Sequence, residues 1–144
     1  MNATKRFICP ECTAVLNDED PQVIRMVGTL MGAGFSITTE FGLSANLGEY
    51  GASFDPKLRM ERGCRVRFGC PHCGRDFTSS YSEDLAEVEM IDGRDEFVVV
   101  FSRIFGEESS FVVELGTKKL VASYGADAAA YIAEFGKDMN FFGS

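Results

Sequence analysis

Four of the five cysteines stand in two short motifs whose residue types and spacing suit the binding of a metal ion. Each motif has the form Cys-Pro-x-Cys, and the four cysteines are Cys9, Cys12, Cys70 and Cys73. Two residues between the cysteines let both thiolates of one turn point at a single ion, and the proline fixes the backbone after the first ligand. Four thiolates at about 2.3 Å close a tetrahedral site of the kind that holds structural zinc. The spacing therefore predicts one metal centre assembled from two distant parts of the chain.

The residues around the two motifs also repeat. Segment 6–12, RFICPEC, aligns with segment 67–73, RFGCPHC, and each is followed four residues later by an apolar side chain, Leu16 or Phe77. The pattern predicts that a strand leads into a tight turn and that a second strand leaves it, twice in the chain.

The paired motifs resemble the zinc-ribbon group, in which Cys-Pro-x-Cys-Gly turns on two hairpins share one metal. The resemblance covers residues 5–17 and 64–79. It implies that the ligands are Cys9, Cys12, Cys70 and Cys73. Residues 13–69 separate the motifs, far more than in a minimal ribbon, so we expect a β-rich segment inserted between the two halves. The ligand set is also similar to that of rubredoxin, an iron protein, and tetrahedral sulfur suits either metal.

The residue after each motif differs between the two copies. Gly74 follows the second motif and permits a left-handed backbone there. Thr13 occupies the same position after the first motif, so we expect that turn to be strained or slightly different.

Two further residues compete as ligands. His72 is the single histidine and lies inside the second motif, where a ring ordinarily points away from the metal; a Cys3His site would leave one thiolate unused. Cys64 alternates with Val66 and Phe68 on one face of a predicted strand. This pattern favours a buried strand cysteine, with a redox-sensing thiol as the alternative.

Alternating apolar and polar residues predict strands over most of the remaining chain. The predicted strands are 23–30, 35–41, 86–90, 96–104, 111–115 and 120–124. The run 97–101 is apolar on both faces, which is typical of a central strand. Asp92-Gly93 predicts a hairpin turn, and 42–56 is predicted as a loop long enough to suspect a binding role. Asp127 and Gly136 are predicted to bound a short helix over 128–135.

These patterns predict a mainly β fold, α+β with one short C-terminal helix, in which a zinc-ribbon module is joined to an antiparallel β-sheet domain. We expect the ribbon halves at 1–20 and 62–82, and an inserted hairpin with a glycine-rich loop at 21–61. Residues 83–144 are predicted to form the antiparallel sheet with the C-terminal helix, the whole making one compact unit. The apolar residues at 139–142 are expected to pack into the same core, with an apolar anchor for a partner as the alternative.

The charge is unevenly distributed along the chain. The basic segment 57–75 carries one acidic residue, Glu61, and six basic ones: Lys57, Arg59, Arg62, Arg65, Arg67 and Arg75. A basic strand entering a ribbon can bind nucleic acid, because clustered arginines neutralise phosphates. Pairing of Arg65 and Arg67 with Glu87 and Glu89 on a neighbouring strand is the favoured interpretation, since the whole chain has a net charge of −8.

Hydropathy bears on where the protein resides. No apolar run approaches the roughly 20 residues that cross a bilayer. The first twelve residues, MNATKRFICPEC, contain no apolar stretch of the signal-peptide type. We therefore expect a cytoplasmic protein with no membrane segment.

The leading hypothesis is a non-enzymatic protein with no catalytic residues, in which one zinc per chain supports a β-rich module that binds another protein. A closed four-thiolate site has no open coordination position, and the single histidine lies within a motif. A homodimer is compatible with this hypothesis, because sheets leave exposed edges. Two alternatives stay open: rubredoxin-like electron transfer at iron, and nucleic-acid binding through the basic segment 57–75.

Overall fold

The structure of the protein is a computed structural model that describes residues 5–32, 35–55, 58 and 60–135. These residues form nine β-strands and one helix, so the predicted mainly β class is confirmed. The elements are β1 (Arg6–Ile8), β2 (Val23–Gly32), β3 (Phe35–Ser44), β4 (Ala52–Ser53), β5 (Val66–Gly69), β6 (Leu85–Asp92), β7 (Asp95–Ser102), β8 (Ser110–Glu114), β9 (Leu120–Tyr124) and α1 (Ala128–Phe135). Within the described residues, no helix is long and apolar enough to span a membrane.

The strands form two antiparallel sheets. One has the strand order β1-β6-β7-β8-β9 and the other the order β4-β3-β2-β5. The long hairpins β2–β3 and β6–β7 form the centres of the two sheets. The second hairpin turns at Asp92-Gly93, as the sequence predicted, and Gly93 has a φ of 66°.

The first half of the chain, β1 to β4, is repeated by the second half, β5 to β8. The repeat is seen in backbone hydrogen bonds well outside the cysteine motifs. Ala45 N–H donates to Gln22 O at 2.8 Å, and Arg103 N–H donates to Asp84 O at the same distance. Each bond joins the residue after one long hairpin to the residue before it. The similarity noticed around the cysteines therefore extends through a complete supersecondary unit.

Each half contributes its first strand to the sheet of the other half. Strand β1 pairs with β6, with Phe7 opposite Met90, and β5 pairs with β2, with Phe68 opposite Gly28. Because Phe7 and Phe68 occupy the same position of the repeat, the two exchanges are equivalent in register. The crossed strands give the molecule an approximate twofold arrangement, and both sheets contain residues of both halves.

A close approach between side chains explains the glycine at position 28. A Cβ atom there would lie 2.3 Å from the ring of Phe41 and 3.0 Å from Val66 Cγ1. Phe41 is 2% exposed and also packs edge-on against Phe68. Glycine at this position therefore lets the ring of Phe41 pack directly against the backbone of β2.

Strand β7 is apolar on both faces because each face packs on a different cluster. Val99 belongs to the main core between the sheets, whereas Val98 and Val100 belong to a second cluster. That second cluster includes Ala128 and Tyr131 of α1, so the helix covers the outer face of the five-stranded sheet. The predictions of a central strand and of a helix over 128–135 are confirmed.

The structure corrects two local predictions. Residues 42–56 are not one loop, because β3 continues to Ser44 and Ala52–Ser53 form β4. The carboxylate of Asp127, expected to cap the helix, accepts a hydrogen bond from Glu108 N–H at 2.8 Å and ties the start of α1 to the loop before β8. Gly136 and the apolar residues 139–142 lie outside the described residues.

Candidate metal centre

The structure brings the four cysteines of the two motifs together. The Sγ atoms of Cys9, Cys12, Cys70 and Cys73 all lie within 4.8 Å of one another. Between the motifs, Cys9 Sγ lies 3.7 Å from Cys73 Sγ, and Cys12 Sγ lies 3.7 Å from Cys70 Sγ. Four sulfurs about 2.3 Å from one tetrahedral ion are about 3.8 Å apart, so the cluster has the dimensions of a four-coordinate site.

Each motif forms a tight turn closed by a backbone hydrogen bond. In the first turn, Thr13 N–H donates to Cys9 O at 3.0 Å, and in the second Gly74 N–H donates to Cys70 O at 3.0 Å. We call these turns the first knuckle and the second knuckle. The strands that enter them are β1 and β5, the two strands exchanged between the halves. The exchange therefore brings two cysteines from each half to one point.

The residue that ends each knuckle has a left-handed backbone. The φ angle is 79° at Gly74 and 61° at Thr13. Glycine adopts this conformation without steric cost, whereas a β-branched residue does not. The expected strain in the first knuckle is thus present, and the hydroxyl of Thr13 donates to Cys12 O at 2.6 Å.

The first cysteine of each pair is buried and the second is exposed. Cys9 and Cys70 are 0% and 2% exposed. Cys9 Sγ accepts from Glu11 N–H at 3.4 Å, and Cys70 Sγ accepts from His72 N–H at 3.3 Å. Backbone donors of this kind stabilise a thiolate, since they offset negative charge on sulfur.

The environment of the cluster shifts the pKa values of its thiols in different directions. The N–H of Arg75 lowers the pKa of Cys73, but desolvation and the three neighbouring sulfurs outweigh it and raise that pKa to about 12. Burial raises the pKa of Cys9. At Cys70, burial acts in the same direction, but the N–H groups of Cys73 and His72 together lower the pKa. Four thiolates at these distances require a cation among them, which is the condition that a bound metal satisfies.

An ion pair joins the two knuckles on their outer side. Arg75 Nη1 of the second knuckle contacts Glu11 Oε2 of the first. Both side chains are partly exposed, so the pair contributes little to stability by itself. The pair joins the two turns and places a guanidinium near Cys9.

The two competing residues lie apart from this arrangement. His72 is exposed in the second knuckle, where its backbone N–H donates a hydrogen bond to Cys70 Sγ. Cys64 is half-buried against the main core rather than fully buried. Its carbonyl accepts from Phe105 N–H at 2.7 Å, just before β5 begins. Neither residue belongs to the group of four sulfurs.

Arg65 and Arg67 pair within the chain, but not with the predicted acids. Arg65 contacts Asp84, and Arg67 Nε lies 3.5 Å from Asp76 Oδ2. The prediction of Glu87 and Glu89 as partners is wrong, because those residues lie on β6 and β5 joins the other sheet beside β2.

Of the other members of the basic segment, Arg62 and Arg75 also have hydrogen-bond or ion-pair partners within the protein. Arg62 Nη2 donates to Gly106 O at 3.4 Å, and Arg75 pairs with Glu11 as described. Lys57 and Arg59 lie outside the described residues. Each described arginine of the segment therefore has an acceptor within the protein.

Sequence reasoning missed Arg103, the most buried arginine of a polar cleft. The cleft has a volume of about 470 Å³ and is lined by Thr29, Arg65, Arg67, Asp76, Thr78, Glu83 and Arg103. Arg103 is 7% exposed; its Nε donates to Val66 O at 2.9 Å and its Nη1 to Glu83 O. Its burial could have been suspected from the sequence, because Arg103 is a lone arginine between the end of an apolar strand and the apolar pair Ile104-Phe105.

Comparison with known proteins gives no relative for this chain. No protein-family model, no curated protein and no solved structure matches it significantly. The geometry of the four-cysteine site and the chemistry of its residues are therefore what indicate a function.

Proposed function

We propose that this chain is a non-enzymatic zinc-binding protein in which a structural Zn(Cys)4 centre supports a β-rich module that binds another protein. The observation that carries the proposal is the group of four sulfurs, two from each half, with 3.7 Å between the facing pairs. The protein supplies all four ligands of a tetrahedral ion, which is typical of structural rather than catalytic zinc.

The position of the site explains what the metal does. Strands β1 and β5 cross between the halves and end at the knuckles, so a bound ion ties the two crossing strands together. Because the ligands come from both halves, the free energy of metal binding contributes directly to folding. Thiolate ligands suit the cytoplasm, where cysteines stay reduced.

Strand β9 supports the interaction part of the proposal. It is the outer strand of the five-stranded sheet, and Val121 and Tyr124 on it are 54% and 36% exposed. An outer strand presents unpaired backbone groups, to which a partner can add a strand of its own. A second copy of the chain is the simplest partner to test, followed by other proteins.

The metal is identified by elemental analysis together with an absorption spectrum. The protein is purified anaerobically from cells supplied with iron, because zinc readily occupies an iron site during overexpression. We expect one colourless zinc per chain. One red iron per chain would overturn the zinc assignment.

A pair of cysteine variants tests the structural role. Cys70→Ser removes a buried ligand, so we expect it to lose both the metal and a cooperative unfolding transition. Cys64→Ser is the matched control, because Cys64 lies outside the four sulfurs; we expect it to keep one metal per chain. A folded, metal-free Cys70→Ser protein with unchanged stability would contradict the proposal.

A rubredoxin-like iron protein is the second candidate. It is favoured by the exposure of Cys12 and Cys73, which lets an electron donor approach the sulfurs, and by the backbone N–H donors to Cys9 and Cys70. An iron-loaded sample would then cycle reversibly between two colours without unfolding. A sample that loses iron on reduction would exclude this candidate.

Nucleic-acid binding through segment 57–75 has less support. Arg65, Arg67 and Arg75 are each paired with a carboxylate, so their charge is largely compensated. Binding of this kind would weaken steeply with added salt. Titration of labelled single- and double-stranded oligonucleotides at two salt concentrations tests it.

Val121→Lys tests whether a partner adds a strand to the exposed edge of β9. The added charge on an outer strand opposes pairing with another strand. We expect self-association, or retention of a protein partner, to be lost in this variant and kept in Thr117→Ala, a change in the turn before β9. Equal association in both variants would place the interaction elsewhere.

A further inference from the structure

We propose that a cavity between the two sheets binds a small neutral molecule with an apolar, ring-sized body and a hydroxyl group at one end. The cavity has a volume of about 110 Å³ and is separate from the cysteine cluster. This site goes beyond the proposed metal function and does not depend on the identity of the metal.

The floor of the cavity is built from equivalent residues of the two halves. The equivalent pairs are Phe7 with Phe68, Met26 with Val88, Leu43 with Phe101, and Ser44 with Ser102. The cavity therefore lies where the halves face each other across the approximate twofold axis. Apolar cavities of about 150 Å³ admit a benzene ring. The cavity of this protein is smaller, at about 110 Å³, but it opens at one side, so a ring can enter it with part of the ligand remaining in the opening.

A fully buried hydroxyl without a partner lines the cavity. Ser109 is 0% exposed, and its Oγ makes no hydrogen bond with any described residue. The hydroxyl of Tyr50, another lining residue, is also buried, and the side chain of Ser110 lies beside it. An unpaired buried hydroxyl costs free energy, which a ligand hydroxyl would recover by bonding to it.

The charges around the polar end select against anions. Glu49 and Glu107 line the cavity, and no Lys or Arg is found among the described residues lining it. Glu107 is held in place, since its Oε1 accepts from Ser102 Oγ at 2.8 Å and from the hydroxyl of Tyr131. A carboxylate or phosphate ligand would be repelled, whereas a neutral hydroxyl can donate to a carboxylate at this end and accept from the hydroxyl of Ser109.

The two loops at the opening differ between the halves. Residues 46–51 after β3 carry Tyr50, and the segment between β7 and β8 carries Ser109. Both halves therefore supply polar groups to the opening, but of different kinds, a phenol from the first half and a serine hydroxyl from the second. The unpaired hydroxyl of Ser109 is where the ligand hydroxyl is expected, and this sets the orientation of the ligand.

The test is a titration of the full-length, metal-loaded, isotope-labelled protein followed by NMR. Phenol, toluene and benzoate are the probes, because they share a ring and differ in the polar end. We expect saturable shifts confined to the cavity lining with phenol and toluene, and at least tenfold weaker binding of benzoate. Shifts that do not saturate, or benzoate binding as tightly as phenol, would overturn the proposal.

Ser109→Ala separates the hydrogen bond from the apolar contact. We expect its affinity for phenol to fall about three- to tenfold, the effect of one hydrogen bond, with the affinity for toluene unchanged. Thr117→Ala, in the turn before β9, is the control and should bind both probes as the wild type does. Tyr50→Phe serves in the same comparison if Ser109→Ala does not fold. An unchanged ratio of phenol to toluene affinity in the folded variant would overturn the assigned orientation.

Discussion

Thr13 and Gly74 occupy the same position in the two knuckles, but their side chains suit it unequally. Both have a left-handed backbone, with φ of 61° and 79°. A β-branched residue pays a steric cost there that glycine does not. The repeat thus allows the steric cost of the left-handed conformation to be compared for threonine and glycine within one molecule.

Removing the side chain at position 13 and adding one at position 74 should have opposite effects on the free energy of unfolding. We expect Thr13→Gly to raise the free energy of unfolding of the metal-loaded protein by about 0.5–1 kcal/mol, the steric relief being reduced by the greater freedom of glycine in the unfolded chain. Gly74→Ala should lower it by about 1 kcal/mol. Urea denaturation at fixed metal concentration measures both, and changes of the same sign would contradict the assignment of strain.

Gly28 is required because two side chains occupy the space of a Cβ. We expect Gly28→Ala to lower the free energy of unfolding by about 1–3 kcal/mol, as over-packing of a core does. Gly51→Ala is the matched control, because a Cβ there meets nothing within 4 Å. Thermal unfolding of the two variants compares them, and an equal shift in midpoint would show that the contact with Phe41 yields easily.

At the scale of elements, Arg103 links three parts of the second half. It follows β7, and its side chain donates to the carbonyl groups of Val66 in β5 and Glu83 before β6. Burial lowers the pKa of Arg103, with Arg65 and Arg67 acting in the same direction and Asp76 opposing them. A buried guanidinium is tolerated here because carbonyl oxygens satisfy its donors.

Arg103→Met tests this link. The variant keeps the apolar length of the side chain and leaves two carbonyls without their donors, so we expect a loss of about 2–4 kcal/mol in the free energy of unfolding. Arg94→Met, in the exposed turn of the β6–β7 hairpin, is the control and should change stability by less than about 0.5 kcal/mol. Equal stability of the two variants would contradict the structural role of Arg103.

The strands, the turn at Asp92-Gly93 and the four clustered cysteines could be predicted because their signals are local. Alternation, turn residues and ligand spacing all lie within a few neighbouring positions. The partners of Arg65 and Arg67 could not, since nothing within β5 indicates which sheet it joins. The cavity and Arg103 were missed for the same reason: both depend on residues brought together from distant parts of the chain.

At the scale of the molecule, the crossed strands make each half incomplete without the other. Strand β1 completes the sheet of the second half, and β5 completes the sheet of the first. The cysteine cluster also takes two sulfurs from each half. Neither sheet and no closed metal site can therefore form from one half alone.

Splitting the chain tests this dependence. We expect the separate fragments 1–57 and 58–144 to be largely unfolded, and an equimolar mixture with zinc to recover the β-sheet circular dichroism of the intact protein. The same mixture with Cys9→Ser in the first fragment is the control and should not recover it. A first fragment that folds alone with zinc would contradict the crossed pairing.

The crossed arrangement also has a consequence for how the chain is synthesised. The first knuckle leaves the ribosome roughly 60 residues before the second, which at about 5–20 residues per second is a delay of about 3–12 s. During that interval Cys9 and Cys12 are an incomplete ligand pair, which can bind a metal ion together with cysteines of another nascent chain. Correct assembly therefore depends on timing as well as sequence, and slower translation between the knuckles should lower the yield of metal-loaded protein.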